Sequence, residues 1–360
     1  MLVPVLLFVI GLLFLIKGGD WFVDGATGIA HRFRIPELLI GATVVSIGTT
    51  LPEVMVSATS AVGGHGEIAY GNAIGSIICN TALIAGLTIA IRPSDVNRKA
   101  LRTPVSFFFA AAVFYALTAY LSGYFSRLSG VFLLLVFFVY MVSTVMQAKK
   151  NDGQEEEEEL LLQAASLSGG ERASASAPVL KADPVSEIKT VSGKADEKSD
   201  AAEGSMGKDL LLLVVGAVLI AVGANLLVDN GTLIAQALGV PESVIALTFV
   251  ALGTSLPELV TAITSLIKGH GALSLGNVIG ANLFNLVLVS GLSVTLAPFE
   301  IPQSASIAGY NASLILDIPV MLFVMLFLTV PALIRGRLSR FQGILLLLLY
   351  GVFCGIQFML

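Results

Sequence analysis

The sequence predicts an all-α polytopic membrane protein, with ten transmembrane helices arranged as two inverted five-helix repeats. Three observations predict it. Of 360 residues, 56% are hydrophobic and only 12% charged, where a soluble domain carries about a quarter charged residues; mean hydropathy is +0.90. Several apolar runs reach the roughly 18 residues that cross a hydrocarbon core as helix. Their even texture excludes a barrel, whose strands would alternate over about ten residues. Finally, residues 41–93 align without a gap onto 246–298 at an offset of 205, with 21 identities in 53 positions. A long internal repeat of apolar sequence is the signature of paired transporter-like halves.

The ten spans fall at about 2–30, 36–61, 67–91, 103–121 and 128–148, then 209–237, 241–267, 272–296, 311–334 and 341–359. The N-terminal run lacks a basic n-region and a small-residue cleavage site, so it reads as a retained first span. Five spans per repeat is an odd number, so the second copy enters the membrane from the opposite side. The chain therefore divides into a first repeat (1–150), a connecting segment (151–208) and a second, inverted repeat (209–360). The connecting segment holds the acidic run Glu155–Glu159, then Ser, Ala, Gly, Lys and Glu with no aromatic residue. Such a composition buries too little apolar area to offset its ordering entropy. It reads as a largely disordered, solvated loop, with Glu155–Leu162 able to form one short amphipathic helix.

Lys and Arg set the orientation. With the N-terminus outside, the cytoplasmic connections hold thirteen Lys and Arg, among them Arg32, Arg92, Arg98, Lys268, Arg335, Arg337 and Arg340, and the outer ones only Arg127. The expectation is a multi-pass plasma (inner) membrane protein with both termini outside and the 151–208 loop cytoplasmic. The two cysteines, Cys79 and Cys354, both lie in apolar runs, which excludes a disulfide framework or zinc site.

The repeat centres on IGTTLPE, residues 47–53, and LGTSLPE, residues 252–258. Each places a carboxylate, Glu53 or Glu258, inside an apolar span, where ionisable groups are costly and mark ion pathways. Pro52 and Pro257 lack an N–H and free the carbonyls of Gly48 and Gly253. Free carbonyls at membrane depth persist where something else satisfies them. At helical spacing Thr49 and Thr50 share a face with Glu53, as Thr254 and Ser255 do with Glu258. The third span adds Asn72, Ser76 and Asn80 at four-residue steps, and the eighth adds Asn277, Ala281 and Asn285. Hydroxyls, carbonyls and two carboxylates form an all-oxygen set suited to Ca²⁺, which takes six to eight oxygens. Na⁺, of similar radius, fits the same set. No His or thiolate joins it, which argues against zinc, copper and iron. Gly64-His65-Gly66 and Gly269-His270-Gly271 read as connecting turns, and Asp24, Asp229, Glu37 and Glu242 as interfacial groups. The glycines of the third and eighth spans read as helix-packing positions, and Asp317 stays unassigned.

The paired G-T-[ST]-L-P-E and G-N-x-[IV]-G-[SA]-x-x-x-N phrases resemble the two α-repeats of the sodium/calcium exchanger family, within the calcium:cation antiporter superfamily. The resemblance covers nearly everything outside 151–207. It implies Na⁺/Ca²⁺ antiport by alternating access, with the long first and sixth helices moving against a core. It implies coordination by Ser46, Thr49, Thr50, Glu53, Ser76 and Asn80, with Ala251, Thr254, Ser255, Glu258, Ala281 and Asn285; Ser46 and Ala251 would contribute backbone oxygens. Two positions depart from the pattern. Ala281 replaces a serine often found there, and Asn285 stands where some relatives carry aspartate, leaving two central carboxylates. The expected partners are Ca²⁺, Na⁺ and the bilayer, with no nucleic acid, obligate protein partner, bound cofactor or ATP. The rival on the same fold is a proton/calcium or potassium-dependent sodium/calcium exchanger. An enzyme is not expected: neither a nucleophile–base arrangement nor a His-Glu-x-x-His motif is present.

Overall fold

The structure is a computed structural model and describes residues 2–33, 35–169, 206–237, 253–303 and 306–359. Ten helices follow in chain order: α1 Leu2–Arg32, α2 Glu37–Val62, α3 Gly66–Ile91, α4 Arg98–Ser122, α5 Arg127–Gly169, α6 Met206–Ala237, α7 Leu256–Ile267, α8 Gly271–Leu296, α9 Ser313–Arg335 and α10 Arg340–Gln357. Among the described residues, nine are long and apolar enough to span a bilayer; α7 is a shorter apolar helix. The predicted ten-helix membrane fold holds. The first part of the predicted seventh span, with Glu242 and Ala251, lies outside the described residues.

The apolar part of α5 ends at Ala148, yet the helix continues to Gly169, where the sequence reading expects a largely disordered loop. The run EEEEELLLQAA from Glu155 consists of strong helix formers, and the helix read at Glu155–Leu162 falls inside it. The rest of the loop, 170–205, is outside the described residues.

Side-chain burial separates centre from periphery. The most apolar windows of α3 and α8 are 72% and 83% buried, against 22% for α1 and 17% for α10. α3 and α8 are repeat counterparts, so the same helix of each half lies at the centre. The exposed faces of the outer helices are apolar, with Leu6, Leu13, Phe138, Leu211 and Leu348 all outward, as a lipid-facing surface requires.

The inversion is visible in α1 and α6, which run antiparallel in close contact. A Cβ on Gly11 would lie 2.9 Å from the Gly223 carbonyl oxygen, and one on Gly18 would lie 2.9 Å from that of Gly216. Gly216 and Gly223 are the repeat equivalents of Gly11 and Gly18, so the two contacts are images of each other under a two-fold axis. Small residues at seven-residue spacing let such backbones touch. The fifth helix of each repeat also packs on the third helix of the other: Gly130 meets the Gly291 carbonyl, and Gly343 meets that of Gly86.

The connections segregate to two ends. At one, Val96 N–H donates to Gly336 O (2.8 Å), Leu338 N–H to Ser94 O (3.0 Å) and Arg92 to Leu266 O (3.3 Å). At the other, β1 Tyr124–Phe125 pairs antiparallel with β2 Phe299–Glu300, and a Cβ on Gly66 would collide with Phe299. The α2–α3 and α7–α8 turns sit at opposite ends yet have one geometry. Gly64 and Gly269 are left-handed, at φ 84° and 89°, and His65 and His270 N–H each donate back over five residues at 2.8 Å. The Gly-His-Gly stretches are the turns the sequence suggests.

Ion pairs join the halves at the first end. Lys268 contacts Asp24 at 2.8 Å and Asp20 at 3.5 Å on α1, and His270 Nδ1 lies 2.7 Å from Glu37 Oε1. The Glu37 carboxylate holds the His270 imidazolium above its ordinary pKa, outweighing partial burial. A raised folded-state pKa means the pair stabilises fully below the unfolded value, near 6.5, and that this contribution is lost as pH rises through the raised value. The side chains are 27% and 24% exposed, so the effect stays within about 1 kcal/mol. The melting temperature of wild type should fall between mildly acidic and mildly alkaline pH, and Glu37→Gln should flatten that slope. Equal slopes in the two proteins would remove the pair from the pH dependence.

Candidate functional site

The site forms where α2 of the first repeat crosses α7 and α8 of the second. Glycines set the crossing distance. A Cβ on Gly276 would lie 2.2 Å from Leu38 O, and one on Gly280 would lie 2.5 Å from Ala42 Cα and 2.3 Å from Ser46 Oγ. Gly276 and Gly280 are packing glycines, as the sequence suggests. The second-repeat positions that match Leu38 and Ala42, 243 and 247, lie outside the described residues.

At this crossing the polar side chains interlock across repeats. The Thr50 hydroxyl donates to Glu258 Oε1 at 3.5 Å, and the Thr49 hydroxyl to Asn277 Oδ1 at 3.2 Å. The Ser46 hydroxyl is shared between the carbonyls of Gly41 (2.7 Å) and Asn277 (3.0 Å). On the first-repeat side, the Asn72 amide donates to the Glu53 carbonyl at 3.2 Å and to Ser57 Oγ at 2.8 Å. Ser46, Thr49, Thr50, Glu53, Ser76 and Asn80, with Ser255, Glu258, Ala281 and Asn285, are all buried; Thr254 is half-buried.

What is buried here is also underbonded. Among the described residues, both oxygens of Glu53, Oε2 of Glu258, both amide atoms of Asn80 and of Asn285, and Ser255 Oγ lie out of solvent without a hydrogen-bond partner. Buried polar groups are normally paired, and an unpaired buried carboxylate is the costliest case. Glu53 and Glu258 lie close enough to sense each other's charge. Among the described residues no ion pair reaches either of them. The donor set is oxygen-rich and lacks a counter-charge, which is the chemistry that fits a hard cation.

The backbone contributes features that residue types do not announce. α2 is π-helical over Gly41–Val45, α3 over Cys79–Ala85 and α8 over Asn285–Val289. The last two coincide in the repeat and begin at or beside Asn80 and Asn285. A π-turn widens the helix and leaves carbonyls without their usual donors, which is why such turns gather at functional sites. Hydroxyls five residues on fill two of these gaps: Ser46 Oγ reaches Gly41 O at 2.7 Å, and Ser290 Oγ reaches Asn285 O at 3.1 Å.

The two prolines act unequally. α2 stays helical through Pro52, whereas in the second repeat Thr254 and Ser255 form a turn and α7 begins at Leu256, with Pro257 in its first turn. Asn277, read from sequence on the same stripe as Ala281 and Asn285, is fully buried and bridges to Ser46 and Thr49. One group exceeds the predicted set: Thr261 and Ser265 carry buried hydroxyls in line with Glu258 that have no partner among the described residues, legible as an i, i+3, i+7 stripe. Asp317, unassigned from sequence, accepts from Gln357 Nε2 on α10 at 2.6 Å.

Inverted halves that meet at a buried, oxygen-lined and doubly acidic seam define the class of ion-exchanging membrane transporters rather than enzymes. Within that class the chain belongs to the sodium/calcium exchanger protein family, whose model matches residues 3–146 and 208–359, both repeats. It is similar to the inner membrane protein YrbG of Escherichia coli (strain K12), with 32% identity over 318 residues, 88% of this chain and 87% of the relative. It is 30% identical to the sodium/calcium exchanger MaX1 of Methanosarcina acetivorans, covering 98% of each chain. Among solved structures it superposes on the sodium-calcium exchanger NCX_Mj soaked with Na⁺ and Sr²⁺, at TM-score 0.73 and 30% identity over 98% of this chain and 97% of the other.

Proposed function

We propose that the protein is a Na⁺/Ca²⁺ antiporter of the plasma (inner) membrane, with both termini outside. Ca²⁺ and Na⁺ compete for one oxygen cage at the seam, and the loaded cage opens to alternate sides. The carrying observation is the pair of buried carboxylates, Glu53 and Glu258, contributed one from each repeat and without a counter-charge among the described residues. Two carboxylates neutralise one Ca²⁺, and a similar charge requirement is met by sodium ions. MaX1 and NCX_Mj, both sodium/calcium exchangers by name, align with nearly the whole chain. We assign the ligands as Thr49, Thr50, Glu53, Ser76 and Asn80 with Thr254, Ser255, Glu258 and Asn285, and backbone oxygens of Ser46, Ala251 and Ala281. α1 and α6, joined along their glycine stripe and packed outside the core, form the body that moves.

Counter-flow in proteoliposomes tests the carrier reading. Internal unlabelled Ca²⁺ should accelerate entry of ⁴⁵Ca²⁺, since a loaded carrier returns faster than an empty one. Entry that ignores internal Ca²⁺ would mark a channel.

The connecting loop is read as dispensable for transport, since neither repeat draws a ligand from it. Replacing Glu155–Ser205 with a short Gly-Ser linker should keep flux within about twofold of wild type, because closure entropy changes only logarithmically with loop length. Loss of transport in correctly inserted protein would make the loop part of the mechanism.

A further inference from the structure

The α3–α4 and α9–α10 connections, one from each repeat, flank an open cavity of about 390 Å³ lined by Asp95, Arg335, Arg337, Ser339, Arg340 and Gln342 among others. Its frame is fixed by backbone. Val96 and Leu338 N–H donate across the two connections to Gly336 and Ser94, with an antiparallel bridge between Asp95 and Arg337. Gly336 is left-handed at φ 70°, and a Cβ there would lie 2.7 Å from Arg98 Nε. A fourth guanidinium thus lies beside the cavity. Among the described residues no carboxylate is within ion-pair distance of Arg335, Arg337 or Arg340, and Arg340 reaches only the Ile91 carbonyl, at 3.4 Å. Among the described residues, Asp95 is the sole acid in the lining.

We propose that this cavity binds a phosphate-bearing anion, the headgroup of an anionic phospholipid. Convergent guanidinium groups match phosphate oxygens in pairs, which a lone ammonium does not, and basic pockets at the ends of transmembrane helices suit anionic headgroups. The apolar surroundings favour a lipid over free phosphate. Ile91, Ile334 and Phe341, next in sequence to the arginine-bearing positions, are 57%, 68% and 75% exposed and would lie against acyl chains. A lipid held here would bridge the two repeats at their periphery, away from the ion cage.

The test uses the full-length protein in detergent, with melting temperature as the readout. The additions are a zwitterionic phospholipid, an anionic phosphatidylglycerol and inorganic phosphate, each alone. Wild type should be stabilised by several degrees by phosphatidylglycerol and not by the zwitterionic lipid. The triple variant Arg335→Gln/Arg337→Gln/Arg340→Gln should lose most of that shift. The single variants, each at an exposed position, should lose part of it and remain readable if the triple does not fold. Lys99→Gln/Arg102→Gln removes two charges from the same end of the bundle but outside the cavity, and should keep the shift. Stabilisation by inorganic phosphate as strong as by the lipid would support the anion site and assign it to free phosphate. Equal loss in the Lys99/Arg102 variant would reduce the effect to diffuse surface charge and overturn the proposal, as would the absence of any shift with either anion. None of these readouts depends on transport, so the site stands or falls apart from the antiport reading.

Discussion

Glu53→Gln and Glu258→Gln should each reduce Ca²⁺ exchange by at least about 100-fold, while the protein still inserts and runs as a single species. Each substitution keeps side-chain volume and removes one negative charge. A divalent cation in the remaining cage is left with an uncompensated charge in a desolvated site, and breaking a buried pair in this way costs about 3–5 kcal/mol, which is a factor of hundreds or more in occupancy. The empty protein should not suffer in parallel. Both Glu53 oxygens are buried without a partner among the described residues, so neutralising that carboxylate relieves an apo-state penalty and should raise the melting temperature measured without ions. Glu→Asp should be milder but still harmful, because shortening the arm by one methylene opens a cage whose ligand distances are about 2.3–2.6 Å. The measurements are ⁴⁵Ca²⁺ flux and thermal melting with and without Ca²⁺. A Gln variant with ordinary flux would remove that residue from the cage.

Gly276→Ala is expected to damage both fold and site. Its new Cβ would sit 2.2 Å from Leu38 O and 2.9 Å from Leu38 C. Both are backbone atoms, so no rotamer change can yield; α2 and α8 must separate. Overpacking of this kind costs about 1–3 kcal/mol or more. The same crossing holds Asn277, the next residue, against Ser46 and Thr49, so separation also pulls the halves of the cage apart. Calcium-induced stabilisation should fall along with the melting temperature. Gly351→Ala is the control. That glycine is exposed on α10 with nothing within 4 Å among the described residues, and alanine there should be neutral or stabilising by roughly 0.5–1 kcal/mol. If Gly276→Ala matches the control in melting temperature and Ca²⁺ response, the crossing does not organise the site.

The repeat made most of the fold legible. An ungapped offset of 205 with five spans per copy dictates inversion, and Gly11/Gly223 with Gly18/Gly216 display it directly. Those four glycines also match at the offset, but they lie outside the aligned core and among many other apolar small residues, so their contact could not be singled out. The carboxylates were legible because a charge in an apolar span needs a reason. The π-turns at Cys79–Ala85 and Asn285–Val289 were not: their dihedrals lie near those of the α-helix, and no residue type marks them. Proline was a guide to position but not to outcome. Pro257 stands in the first turn of a new helix, while Pro52 is carried within a continuous one. The partner of Asp317 was hidden because Gln357 is 40 residues away on another helix, a contact that only packing creates. The helix through Glu155 was underread because net charge argues for disorder while local propensity argues for helix.

The claim at the centre is that Na⁺ drives Ca²⁺ through a cage shared by the two repeats. Uptake of ⁴⁵Ca²⁺ into proteoliposomes loaded with Na⁺ and diluted into Na⁺-free buffer tests it most directly, run beside vesicles with an imposed pH gradient or with K⁺ added. The account predicts uptake that requires the outward Na⁺ gradient, proceeds without K⁺ and vanishes in Glu53→Gln and Glu258→Gln. Uptake driven by the pH gradient alone, or by Na⁺ only when K⁺ is present, would contradict it.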